Sequence, residues 1–159
     1  MTEVVLVGTL HSKQRDKETT NFSNYIKETI TKYDIDALAE EIDIHDSVVF
    51  DISNELNIEY KIIEPNEHER IALGIDSLNQ IEFAILMLFD DVESVEAKSE
   101  CEKRKQQTYR EREQEWLKRV KAMRGQRILV ICGAAHITTF NQLLKKSNFN
   151  VIIECSLWE

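Results

Sequence analysis

Four consecutive apolar positions, Val4-Val5-Leu6-Val7, predict a strand covered on both faces, because a strand with one wet face would alternate with polar residues. Gly8 ends it, and the polar run Ser12 to Thr20 reads as a loop. Phe22, Tyr25, Ile26 and Ile30 then recur at helical spacing, which predicts a helix from about Asn21 to Lys32 with Asn21 or Ser23 as its cap. Ile35 to Ile42, centred on Ala37-Leu38-Ala39, is the next expected strand. A short helix follows around Asp46 to Leu56, and Tyr60-Lys61-Ile62-Ile63 forms a third strand before the single proline, Pro65.

Leu73 to Phe89 is apolar enough to predict a buried helix starting near Asp76 or Ser77. The charged stretch from Ser94 to Arg124 reads as one extended helix stopped by Gly125. Ile128-Leu129-Val130-Ile131 repeats the character of the first strand. A helix carrying Ile137, Phe140, Leu143 and Leu144 leads to a last strand at Val151-Ile152-Ile153. Strands alternating with helices predict a single α/β domain over residues 1–159. Its sheet is mainly parallel, with helices on both faces and the long charged helix inserted before the fourth strand.

Composition narrows the functional classes. A net charge of −9 opposes general binding to nucleic acid or anionic membrane. The three cysteines Cys101, Cys132 and Cys155 are far apart and form no C-x-x-C, so reduced thiols are expected rather than a cysteine-rich zinc site. The chain opens directly into a strand, with no basic leader or long apolar segment, so the expectation is a soluble cytoplasmic protein. Residues 97–127 hold eleven Lys or Arg against five Glu. That helix is either a solvated face laced with i,i+4 pairs or a basic surface for an acidic protein partner, and its length also suggests a homodimer.

Chemistry gathers at the strand ends. An apolar strand followed by Gly-x-x-His occurs twice, as Gly8-Thr9-Leu10-His11 and Gly133-Ala134-Ala135-His136. Open parallel sheets bind ligands at the carboxyl ends of their strands, so both histidines are expected at one cleft. The glycines are expected to let the backbone turn sharply or approach a ligand. Glu40, Glu41 and Asp43 end the second strand. Neighbouring strand residues face opposite sides, so only one of Glu40 and Glu41 can enter the site. On the long helix, Arg112 and Glu113 share a face with Tyr109 and Trp116 and should point at the sheet, where an arginine needs an anion such as Glu41. The alternatives are ordinary: histidines held by backbone hydrogen bonds, a solvated strand end, and an internal ion pair. His45 and His68 read as surface residues.

Taken in order, these patches resemble the superfamily that joins TraB/PrgY pheromone-shutdown proteins, TIKI proteases, erythromycin esterases and ChaN-like proteins. The residues that carry the resemblance are Gly8-Thr9-Leu10-His11, Glu41-Ile42-Asp43, Glu111-Arg112-Glu113 with Trp116, and Gly133-Ala134-Ala135-His136. The TraB and TIKI branches are the most similar. Two positions depart from the pattern: Glu113 stands where Asp or Asn is usual, and Ala135 replaces a glycine. The resemblance implies a hydrolase of a small-molecule, peptide or ester substrate. His11, Glu41, Arg112 and His136 would be its catalytic group. In the metal-dependent branch, His11, Glu41 and His136 would hold a divalent ion such as zinc, manganese or cobalt. A binding module that keeps the cleft without catalysis is the alternative.

Overall fold

The computed structural model describes residues 1–159. Five strands and seven helices follow in the order β1 (Glu3–Thr9), α1 (His11–Gln14), α2 (Asn21–Tyr33), β2 (Ala37–Glu40), α3 (Val48–Leu56), β3 (Glu59–Ile62), α4 (Glu67–Leu73), α5 (Leu78–Leu88), α6 (Val95–Lys121), β4 (Arg127–Gly133), α7 (Ile137–Lys146) and β5 (Asn150–Trp158), with a 3₁₀ turn at Ala134–His136. All strand pairs are parallel, in the order β3-β2-β4-β1-β5. The mainly parallel α/β fold expected from the alternation is the fold observed.

Strand alternation sorts the core into two layers. Val4, Leu6, Ala37, Ala39, Ile128, Val130 and Cys132 face one side and meet Trp116, Leu117 and Val120 of α6 and Ile137, Phe140 and Leu144 of α7. Val5, Val7, Leu38, Leu129 and Ile131 face the other and meet Phe22, Ile26 and Ile30 of α2 and Val48, Val49 and Ile52 of α3. Each central strand is buried on both faces, which is why its sequence is an unbroken apolar run. The connections leaving β1 and β2 cover one face, and those leaving β3 and β4 cover the other. β1 and β4 are neighbours whose chains depart to opposite faces, so a crevice opens between their carboxyl ends.

The helix starts follow side-chain capping. Ser47, Ser77 and Ser94 accept from the backbone N–H of Phe50, Gln80 and Ala97, which fixes the starts of α3, α5 and α6. Helix α2 departs from expectation. Its cap is Thr20, which makes no side-chain cap bond, and Asn21 is already helical. Two elements lie outside the sequence reading. Helix α1 occupies part of the expected loop. Helix α4 is a short helix closed at its start by a reciprocal Asn66–Glu69 capping box and at its end by Gly74 at φ 69°. The last strand is also longer than its apolar triplet. β5 continues through Glu154, Cys155 and Ser156 because β1 supplies hydrogen bonds along its length, with a register shift between Leu6 and Val7.

The expected burial of the Leu73–Phe89 region is overturned. Only Ile81 and Ile85 of α5 are buried, against α6, while Phe83, Leu86 and Met87 on the outward side are 64, 61 and 72% exposed. An apolar run reports affinity for cover, and nothing in this chain covers that face. No single helix is long and apolar enough to cross a membrane.

Candidate functional site

Register places the chemistry. Thr9 pairs with Gly133 and Glu40 with Ile131, so the carboxyl ends of β1, β4 and β2 lie side by side. Glu41 follows β2 and is held to β4 by its N–H to the Ile131 carbonyl at 2.9 Å. His11 starts α1 immediately beyond β1, and His136 ends the 3₁₀ turn beyond β4. The four sequence-predicted residues His11, Glu41, Arg112 and His136 therefore meet at one end of the sheet.

Glu41 is the hub and is buried. Its Oε2 accepts the Gly133 N–H at 2.7 Å, and its Oε1 accepts from Arg112 Nη2 at 2.8 Å. The two imidazole Nε2 atoms approach that same Oε1, at 3.5 Å for His11 and 3.9 Å for His136. Burial alone would push the Glu41 carboxyl up. The His11 hydrogen bond, the neighbouring His136 and Arg112 charges and the Gly133 N–H outweigh it and hold it below the usual carboxylate range. The His11 imidazole is raised in turn, mainly by its hydrogen bond to Glu41, against the opposing effect of partial burial.

Glu40 and Glu41 separate to opposite faces, as strand geometry requires. Glu40 accepts from Ser47 Oγ at 2.6 Å, Tyr60 Oη at 2.7 Å and Gln14 Nε2 at 3.1 Å. Burial raises its carboxyl despite those three bonds. Gln14 links the two carboxylates to the histidine. Its amide nitrogen donates to Glu40 and to the Glu41 carbonyl, both acceptors, so its oxygen must face His11 Nδ1, at 2.7 Å. His11 Nδ1 thereby keeps a proton in either state, and Nε2 is the nitrogen that gains or loses one, donating toward Glu41 when it is protonated.

His136 is held differently. Its Nδ1 meets Glu113 Oε1 at 2.7 Å, and its ring lies 4.9 Å from Tyr109 and 4.7 Å from Trp116 between centroids. Glu113 is itself fixed by Thr139 and Arg110. The expectation that Arg112 and Glu113 turn toward the sheet is met, with the two residues taking different partners. Arg112 lies over the Tyr109 and Trp116 rings and donates to both oxygens of Glu64 as well as to Glu41. Its Nη1 makes no hydrogen bond within the protein.

Glu64 is the residue the sequence reading missed. It is buried, carries the Arg112 pair, accepts the Trp116 indole N–H at 2.9 Å and has Arg70 at 3.6 Å. It directly follows the third apolar strand, so the rule that singled out Glu41 would have found it too. Gln14 stands three residues from His11 on α1, a helix the sequence reading lacked, so that spacing carried no signal. His45 and His68 are exposed, as expected.

The cluster borders a cleft of about 210 Å³ lined by His11, Arg15, Glu41, Glu64, Arg70 and Arg112. It shares Glu64 and Asp43 with a wider opening of about 660 Å³ reaching His45, Tyr60 and Arg119. A Cβ added at Gly133 would lie 3.4 Å from Glu41 Oε2, 3.7 Å from His136 Cδ2 and 3.9 Å from His11 Nε2, so that glycine leaves open the point on which three functional groups converge.

Two imidazoles and a carboxylate are donor types that suit a divalent ion. As folded, however, no three His, Cys, Asp or Glu side chains converge at ion-ligand spacing. The oxygen that both imidazoles approach already carries a guanidinium. The arrangement fits a cation supplied by Arg112, and an ion could take its place only if Arg112 left Glu41 Oε1. Comparison with known protein families, with characterised proteins and with solved structures finds no match to this chain.

Proposed function

We propose that this chain is a hydrolase of the TraB/TIKI-like kind, which activates water at the His11–Glu41–His136–Arg112 cluster to cleave a peptide or ester bond. The observation that supports the reading best is the pairing of two imidazole Nε2 atoms with one buried carboxylate oxygen beside an open cleft. Paired titratable groups with shifted proton affinities, facing a cleft, are the usual signature of acid–base chemistry.

In this reading His11 is the base. Gln14 holds the proton on Nδ1, Nε2 accepts one from water, and the oxygen attacks the carbonyl carbon of the substrate. Glu41 stabilises the imidazolium that forms, and the proton then passes to the leaving nitrogen or oxygen as the bond breaks. Arg112 Nη1 is the donor left over for the oxyanion that develops on attack. Glu113 holds His136 Nδ1 and so turns Nε2 toward the same Glu41 oxygen.

A metal-dependent form of the same reading is favoured by one further observation. Both Nδ1 atoms are anchored by an acceptor while both Nε2 atoms turn inward, as in metal-bound imidazoles with an outer partner. The test is turnover of an ester and peptide panel by purified protein, with chelator and with added zinc, manganese or cobalt. His11→Ala is expected to fold normally and lose turnover by at least about 100-fold. Chelator-resistant turnover selects the metal-free form. No turnover under any condition, alongside saturable ligand binding in the cleft, would return a non-catalytic module in its place.

A further inference from the structure

We infer that Glu40, on the opposite face of the sheet from Glu41, is a positioning residue for His11: acting through Gln14, it keeps the imidazole proton on Nδ1. The effect on rate rests on the hydrolase reading, whereas the place of the proton does not.

Two acceptors compete for one proton. A neutral imidazole donates from one nitrogen and accepts at the other. Both nitrogens of His11 face an oxygen, Gln14 Oε1 at 2.7 Å from Nδ1 and Glu41 Oε1 at 3.5 Å from Nε2. With the proton drawn to the Glu41 side, Nε2 would be a donor and could take nothing from water. The shorter contact prevails only while Gln14 shows its oxygen to the ring. An amide turned end for end would show its NH2 instead and push the proton across.

Glu40 is the group that forbids the turned amide. Gln14 Nε2 donates to Glu40 Oε1 and to the Glu41 carbonyl, both at 3.1 Å, so each of its hydrogens has an acceptor. The other carboxylate oxygen of Glu40 is occupied, because Ser47 Oγ and Tyr60 Oη donate to it at 2.6 and 2.7 Å. Ser47 is oriented in turn by accepting the Phe50 N–H at the start of α3. Oε1 is therefore left to accept from Gln14. A proton on Oε1 would need Gln14 to turn its oxygen toward it, against the Glu41 carbonyl.

Burial makes this arrangement costly to break. Gln14, Glu40 and Ser47 are fully buried. Gln14 is the one buried residue of α1, whose Leu10 cap makes no side-chain bond, so this amide ties His11 to the sheet. An unpaired amide in such a place loses more than a pairing gains. Glu40 itself borders neither opening, and its three hydrogen-bond partners are all neutral. For packing alone an apolar residue would serve there at less cost.

Proton–nitrogen NMR correlation of the imidazole rings tests this, on the full chain with chelator present and His11 neutral, its signals assigned by their loss in His11→Ala. The wild type is expected to show the Nδ1–H form. In Glu40→Gln the two hydroxyls hold the new amide oxygen, its NH2 faces Gln14, and Gln14 turns. His11 is then expected to become mainly Nε2–H, with kcat lower by at least about tenfold and KM little changed. Tyr60→Phe removes a donor from the same carboxylate but leaves Oε1 facing Gln14, and is expected to keep the Nδ1–H form. A tautomer that is the same in wild type and Glu40→Gln overturns the inference, as does an Nε2–H form in the wild type. Should Glu40→Gln fail to fold, the wild type decides: Gln14 NH2 hydrogens in nuclear Overhauser contact with the His11 ring rather than Glu40 overturn it, and the reverse upholds it. A chain without turnover whose tautomer still moves defeats the hydrolase reading and upholds the positioning.

Discussion

The two Gly-x-x-His turns look interchangeable in sequence and differ in almost every physical respect. After β1, an added Cβ at Gly8 would lie 2.2 Å from the Ser156 carbonyl oxygen and 2.7 Å from Ile137 Cγ1, so that glycine is there to let β5 and α7 close in. After β4, a Cβ at Gly133 would make only ordinary contacts, with Glu41, His136 and His11. Neither adopts the left-handed backbone that would demand glycine for its conformation; Gly74 alone does. The histidines differ as much. The His11 side chain is 53% exposed and leans on a neutral amide, whereas that of His136 is 5% exposed, leans on a buried carboxylate and is enclosed by two aromatic rings. The first turn spends its glycine on packing and leaves its histidine accessible. The second reverses that division.

Substitutions can break this contrast, beginning with the largest effect. Gly8→Ala drives a methyl into backbone that cannot yield, and is expected to lower stability by about 3 kcal/mol in urea unfolding. A midpoint that stays put would mean that the two glycines do the same job. Next come the two histidines. Glu113→Ala strands the buried His136 Nδ1–H and is expected to cost about 2 kcal/mol, with His11→Ala nearer ~0.5 kcal/mol because that ring is half solvated. Equal costs would erase the distinction between a buried and an open histidine. Smallest in stability is Gly133→Ala, whose methyl makes only ordinary contacts. The expected change is within ~0.5 kcal/mol, whereas turnover falls about 100-fold because the methyl fills the point where His11, Glu41 and His136 converge. Full turnover in that variant would move the reacting atoms elsewhere.

What the sequence disclosed follows the same physics. β1 and β4 were legible because strands buried on both faces must be continuous runs of Val, Ile and Leu. His11, Glu41 and His136 could be located because whatever follows a parallel strand stands at the ligand-binding edge. Arg112 came from helical phasing with Trp116. Glu64 was overlooked although it obeys the strand-end rule, and α4 was overlooked because its stability comes from caps and ion pairs rather than from an apolar stripe. The purpose of the glycines was legible only in part, since a turn, a close neighbour and a vacant point all ask for the same residue. Exposure of α5 was not legible at all: hydrophobicity along a chain states that a face wants cover, and is silent on whose atoms provide it.

The position of β1 has a consequence for how the chain reaches its fold. Glu3 pairs with Arg127 on one side and Asn150 on the other, so the first strand lies between the last two. During synthesis, Val4 to Val7 must therefore wait, apolar and unpaired, until nearly the whole chain has emerged. The α5–α6 hairpin, by contrast, closes with its immediate neighbour and can form early. Contacts between such distant parts of a chain make folding slow and leave an exposed strand open to wrong partners. The sheet that assembles the site is thus the last part of the molecule to be completed, and no histidine meets Glu41 until it is.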